Sequence, residues 1–226
     1  MQQLVDLLSS PAVRLVTILG PGGAGKTRLA LETGWKLLPT FANGVFLAEA
    51  NSHLSKEALL ATIASGVGLD VLLGPVTHPF LVGNATQETT LQEQLTGFLR
   101  GKEMLLVLDG LEQVQDVYTL LQHLLNASPR LRILATSRIR MNLEGENVFI
   151  LEGLPYPPAV DASPDLGSYS AVELFVHSAR RSNQNFELTP HNREAVAEIC
   201  RLMEGMPLGI LQASAWEQAL DTTAIL

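Results

Sequence analysis

Gly20-Pro21-Gly22-Gly23-Ala24-Gly25-Lys26-Thr27 fits the pattern G-x-x-x-x-G-K-[S/T]. The chemistry that suits this spacing is phosphate binding. A phosphate chain must come close to backbone N–H groups, and a Cβ would stand in the way. Gly22, Gly23 and Gly25 remove that obstacle and allow the φ/ψ values such a loop needs. Lys26 supplies a compact cation for the β- and γ-phosphates, and Thr27 a hydroxyl for Mg²⁺. Arg28 closes the run, so Gly20 to Arg28 form the candidate nucleotide-binding segment. Further along, MLLVLD ends in Asp109, the candidate second oxygen ligand for the metal. RILATSR ends in Arg138, whose guanidinium could read or stabilise a γ-phosphate. Glu112 is the nearest acid after Asp109 and the candidate for orienting a water. Plainer readings exist for these three. Asp109 could be an N-cap, Arg138 a solvated cation beside a Ser137 cap, and Glu112 a solvated acid before the next helix.

These residues need elements to hold them. RLVTIL, Arg14 to Leu19, is a short β-rich run that stops at Gly20. Thr27 to Leu38 follows with helical spacing. A loop between a strand and a helix N-terminus is where free N–H groups and the dipole favour anions. Further strands are expected at Gly44 to Ala50, Met104 to Asp109, Arg132 to Ser137 and Asn147 to Gly153. Helices are expected at Lys56 to Val67, Thr90 to Leu99 and Val117 to Leu125, with a long connection from Leu69 to Thr90. Alternating strands and helices argue for a parallel α/β sheet with right-handed crossovers. In such sheets, ligands sit at the carboxyl ends of the strands.

Leu154 to Asp165 is rich in proline, and after it the pattern is helical only. Helices are expected at Ser170 to Arg181, from Thr189 with Pro190 at the first position, and at Leu208 to Leu220. The expected organisation is a nucleotide-binding domain over residues 1–153, a linker over 154–167 and a truncated helical lid over 168–226.

Composition narrows the function. The chain of 226 residues is 46% apolar and only 17% charged, as a sheet buried on both faces requires. No uncharged apolar run approaches the roughly 18 residues of a membrane span. The N-terminus carries Asp6 and no basic region, unlike a signal peptide. One cysteine, Cys200, rules out an internal disulfide and suits a cytoplasmic protein. A net charge of −8 argues against direct nucleic-acid binding by this chain.

GPGGAGKTRLALE, LLVLDGLE, RILATSR and EICRLMEGMPLGILQASA occur in an order that resembles the STAND class of P-loop ATPases. Within it they are similar to the NB-ARC-type modules of large bacterial transcriptional regulators, from about Arg14 to Ala219. The resemblance implies a three-layer P-loop sheet ordered 5-1-4-3-2 with a helical lid. It implies ATP or ADP with Mg²⁺, a switch between ADP-held and ATP-opened states, and ATP-dependent self-association. Gly20 to Thr27 then match the Walker A segment, Asp109 the Walker B acid and Arg138 the arginine of a TSR motif. Gly205-Met206-Pro207-Leu208 matches the GLPL motif, whose proline lies near the base.

Departures from the family pattern carry expectations too. Against that pattern, Met1 starts after the segment that cradles adenine and Leu226 comes soon after the GLPL helix, so part of the adenine pocket is expected to be missing. A fragment of a larger regulator is expected, with other domains as partners and modest discrimination between ATP and GTP. Gly110 stands where many relatives carry a second acid or Asn, so hydrolysis is expected to be slow. The main alternative is an AAA+-like ATPase with robust turnover, which a Glu directly after Asp109 would favour. A GTPase would carry an N-K-x-D motif, a small-molecule kinase an Arg-rich lid, and a degenerate scaffold would lack Lys26, Thr27 or Asp109.

Overall fold

The computed structural model describes residues 1–50, 55–69, 90–158 and 166–226. Most of the connection expected over Leu69 to Thr90, and residues 159–165 of the expected linker, lie outside the described residues. The chain divides into two compact units. One comprises Met1–Leu19 and Lys26–Ile150, the other Gly20–Gly25 and Leu151–Leu226.

In the first unit, helix α1 (Gln2–Ser9) precedes strand β1 (Leu15–Leu19). Sequence analysis did not foresee α1, although Leu4 and Leu8 share a face at helical spacing and are fully buried. Helix α2 spans Lys26–Leu37 and strand β2 Val45–Glu49. Helices α3 (Lys56–Gly66) and α4 (Leu91–Leu99) follow, then strand β3 (Met104–Asp109). Thr90 and Glu93 form a reciprocal capping box that fixes where α4 begins. Helix α5 (Val117–Ala127), strand β4 (Leu131–Ser137) and strand β5 (Glu146–Ile150) complete the unit.

The strands form one five-stranded sheet in the order β2-β3-β4-β1-β5, all pairs parallel. This is the expected order 5-1-4-3-2. The three inner strands are buried almost throughout, and the edge strands β2 and β5 are only half-buried. That explains why β3 reads as an unbroken apolar run before Asp109 and why β1 and β4 are mainly apolar. Leu106, Leu108, Ile133 and Ala135 are fully buried in one core with Leu59, Ile63, Leu95 and Leu120. Each such large side chain contributes about 1.5–3 kcal/mol through removal from water. α2 lies so close to the sheet that a Cβ on Gly34 would meet Val45 at 3.3 Å and Val107 at 3.4 Å.

The register sets up the chemistry. Leu108 of β3 pairs with Ala135 of β4, and Leu19 of β1 pairs with Ser137. The carboxyl ends of β1, β3 and β4 therefore share one sheet edge. Asp109 and Thr136 each lie one step beyond the Leu108–Ala135 pair.

The second unit holds helices α6 (Ser170–Ser182), α7 (Arg193–Leu202) and α8 (Pro207–Ala215). Phe175, Val196, Ile199, Cys200 and Ile210 form its core, with Phe175 and Phe186 tilted ring to ring at 5.9 Å. Cys200 is fully buried, and burial pushes its thiol up to about 12, so it is inert packing. α7 begins three residues later than Pro190 suggests. The Asn192 side chain accepts the Thr189 N–H at 2.8 Å and donates to the Glu187 carbonyl at 2.9 Å, which holds residues 190–192 in a turn. α7 ends in a Schellman motif: Gly205 N–H reaches the Cys200 carbonyl at 3.0 Å and Glu204 N–H reaches Arg201 at 2.8 Å. α8 stops at Ala215, short of the expected Leu220, and passes into a 3-10 turn over Trp216–Gln218. No described helix is long and apolar enough to cross a membrane.

Candidate functional site

The first residues of α2 are Lys26 and Thr27, and they meet the ends of β3 and β4. The Thr27 hydroxyl lies 2.8 Å from both carboxylate oxygens of Asp109. Thr136, at the end of β4, donates its hydroxyl to Asp109 Oδ1 at 2.5 Å and accepts the Gly110 N–H at 2.9 Å. One threonine thus fixes both the acid and the backbone turn after it.

That turn is left-handed. Gly110 has φ +78°, and a Cβ there would stand 3.2 Å from the Ala50 carbonyl. Glycine suits such a position best, and Asn or Asp tolerate it better than other residues. After the turn, a short 3-10 segment (Leu111–Gln113) buries Leu111 and swings Glu112 back toward the sheet edge. Arg138 follows β4, and its Nε lies 3.1 Å from Glu112 Oε1. The second oxygen of that carboxylate, Oε2, is buried without a hydrogen-bond partner among the described residues.

Lys26 stands among these charges. Burial pushes its ammonium below the ordinary lysine range. Glu112 opposes that shift, Arg138 adds to it and Asp109 opposes it. An ammonium whose charge is disfavoured by burial gains most from an incoming anion.

The structure therefore gathers Lys26, Thr27, Asp109, Glu112 and Arg138 at one sheet edge, although they were read from three separate segments. Arg28 points to solvent on α2. Sequence analysis missed Thr136. The available signal was a hydroxyl near the carboxyl end of a mainly apolar strand.

The remaining predicted residues belong to the second unit. Gly23 has φ +81° and Gly25 φ +94°, so both require glycine. The Leu208 N–H donates to the Gly23 carbonyl at 3.2 Å. Pro207 occupies the first turn of α8, where its missing N–H costs nothing. The GLPL-like stretch is thereby tied to the glycine loop.

A parallel sheet ordered β2-β3-β4-β1-β5, with a glycine loop leaving β1 and an acid ending β3, defines a P-loop nucleotide-binding fold. Residues 1–142 match the NB-ARC domain family, and the chain belongs to that family. Over 214 residues, 94% of the chain, it is 31% identical to an uncharacterized protein of Mycobacterium tuberculosis. Over 213 residues it is 34% identical to a second protein of that organism, provisionally named as an HTH-type transcriptional regulator. The chain spans about half the length of the first relative (48%) and about a fifth of the second (21%). Among solved structures, it resembles a STAND protein with a tetratricopeptide repeat sensor from Pyrococcus horikoshii, at 21% identity and a TM-score of 0.53. That match covers 93% of this chain and 28% of the other. It also resembles Cdc6p from Pyrobaculum aerophilum, at 18% identity and a TM-score of 0.58, over 99% of this chain and 60% of the other. At such identities the likeness is one of fold. Family and fold together make the chain a nucleotide-binding module.

Proposed function

We propose that this module is a signalling switch. It binds ATP or ADP with Mg²⁺, hydrolyses ATP slowly and serves a larger bacterial transcriptional regulator. The observation that carries the reading is the convergence of the Thr27 and Thr136 hydroxyls on Asp109, beside Lys26. A hydroxyl and a carboxylate are hard oxygen donors, the set that suits Mg²⁺. Thr27 and Asp109 would hold the ion, which there supplies positive charge against the phosphate oxygens.

The chain's own residues do the rest. The N–H groups of Gly20 to Gly25 and the Lys26 ammonium take the phosphates. Thr136 keeps Asp109 aimed at Thr27. Arg138 reads the γ-phosphate. Pro207 contacts the base, as the GLPL resemblance implies. Glu112 orients the attacking water, but only once Arg138 has left it, because the pair engages that carboxylate. Gly110 contributes no side chain, so the water has no second holder. Slow hydrolysis follows, and with it long-lived ATP and ADP states in a cytoplasmic regulator whose ATP form self-associates. The regulator context rests on the named mycobacterial relative, and other domains of such a protein are the natural partners.

The test is mass spectrometry of the protein purified under native conditions, followed by calorimetry with Mg–ATP and Mg–ADP. Retained adenine nucleotide, or micromolar binding of both, supports the reading. Absence of both contradicts it.

A further inference from the structure

We infer that Glu112 gates the γ-phosphate: it holds Arg138 in an ion pair that a nucleoside triphosphate must break and a diphosphate need not. This rests on the nucleotide-binding reading above and assigns Glu112 a positioning role within it.

The geometry of the pair supports a gate. Glu112 is set by the 3-10 segment after β3, whose Leu111 is buried, and its own side chain is only 14% exposed. Arg138 lies beyond the end of β4 and its side chain is 60% exposed. The acid is the fixed partner and the guanidinium the movable one. Nε meets Oε1 while Oε2 has no hydrogen-bond partner among the described residues, so the pair lacks the two-pronged fork that makes Arg–carboxylate pairs strong. A one-pronged pair with a half-exposed arginine is weak enough for a phosphate oxygen to displace.

The buried side of Glu112 makes that displacement costly. Oε2 has no hydrogen-bond partner among the described residues. With Arg138 gone, the carboxylate loses that ion pair, and its charge bears more heavily on Lys26, on which it has the largest effect of the nearby charges. Glu112 therefore competes with a γ-phosphate for two cations at once. A diphosphate makes no demand on Arg138 and leaves the pair intact. The effect of Glu112 should fall on the difference between triphosphate and diphosphate, not on nucleotide binding in general.

Calorimetry with Mg–ADP and a non-hydrolysable Mg–ATP analogue tests this on the unmutated protein, E112Q, R138Q and the double variant. E112Q keeps the shape of Glu112, circular dichroism checks its fold, and E112A removes the same charge by a second route. The expected result is a triphosphate-over-diphosphate preference raised about tenfold in E112Q or E112A. R138Q should lose the preference, and the gain should vanish in the double variant. Equal changes in both affinities, or a gain that survives without Arg138, overturn the gate and leave the nucleotide reading standing. Failure of the unmutated protein to bind either nucleotide overturns both.

Discussion

The Leu208 N–H donates to the carbonyl of Gly23 at 3.2 Å, and a Cβ on Gly23 would stand 2.7 Å from the Leu208 Cβ. The start of α8 thus presses against the middle of the glycine loop. Gly23 is also left-handed, at φ +81°. Gly23→Ala should cost at least about 1–2 kcal/mol from backbone conformation alone, with the clash in addition. Thermal unfolding checks this, and an unchanged midpoint contradicts it.

Lys26→Ala separates binding from stability. It deletes the cation that meets the phosphates, so affinity for Mg–ATP should fall about 10–100-fold, the scale of a charged hydrogen bond. Burial already disfavours the Lys26 charge, so stability of the nucleotide-free protein should hold or rise. Calorimetry and thermal unfolding on the same preparation read both. Equal affinity in the two proteins contradicts the assignment.

Thr136→Val tests the residue that sequence analysis missed. Valine keeps the shape but loses the donor to Asp109 and the acceptor for Gly110 N–H. A part-buried N–H left unpaired costs about 1–3 kcal/mol. The Mg²⁺ dependence of nucleotide binding should weaken as well, because Asp109 is no longer aimed. Thr136→Ser should restore both. A Val variant with unaltered Mg²⁺ dependence would show that Asp109 holds its place unaided.

Glu217 gives a pH signature in the second unit. It is 8% exposed, and burial pushes its carboxyl above the ordinary range. The Thr222 hydroxyl, donating at 2.6 Å, pulls it down, and nearby Asp221 pushes it up. A raised folded-state value means the native protein holds the proton more tightly than the unfolded chain. Stability is therefore lost as pH rises through the raised value. Glu217→Gln should raise the unfolding midpoint at neutral pH by roughly 2 °C, and the gap should close near about pH 4. A gap that widens on acidification contradicts this.

The fold was legible where one physical signal dominated. β3 was read to the residue because an unbroken apolar run ends in a charge, and the P-loop because its glycines have one purpose. α1 was not read: eight residues with two buried leucines give little periodicity. The start of α7 was misread because Pro190 suggested a helix N-terminus, while the Asn192 side chain captures the backbone there. At the site, the strand ends announced Asp109 and Arg138. The Thr136 bonds and the Glu112–Arg138 pair were hidden, because both depend on the register between β3 and β4, which only packing sets.

The central claim, a switch and not a motor, is tested most directly by multiple-turnover hydrolysis at saturating Mg–ATP, with binding confirmed on the same sample. Enzymes have a median turnover of about 10 s⁻¹, and loss of a water-positioning group commonly costs about 10²-fold or more. With Gly110 bare, so that the water has no second holder beside Glu112, the account predicts about one turnover per minute or less. Several ATP per second from the unmutated protein, without any partner, would contradict it.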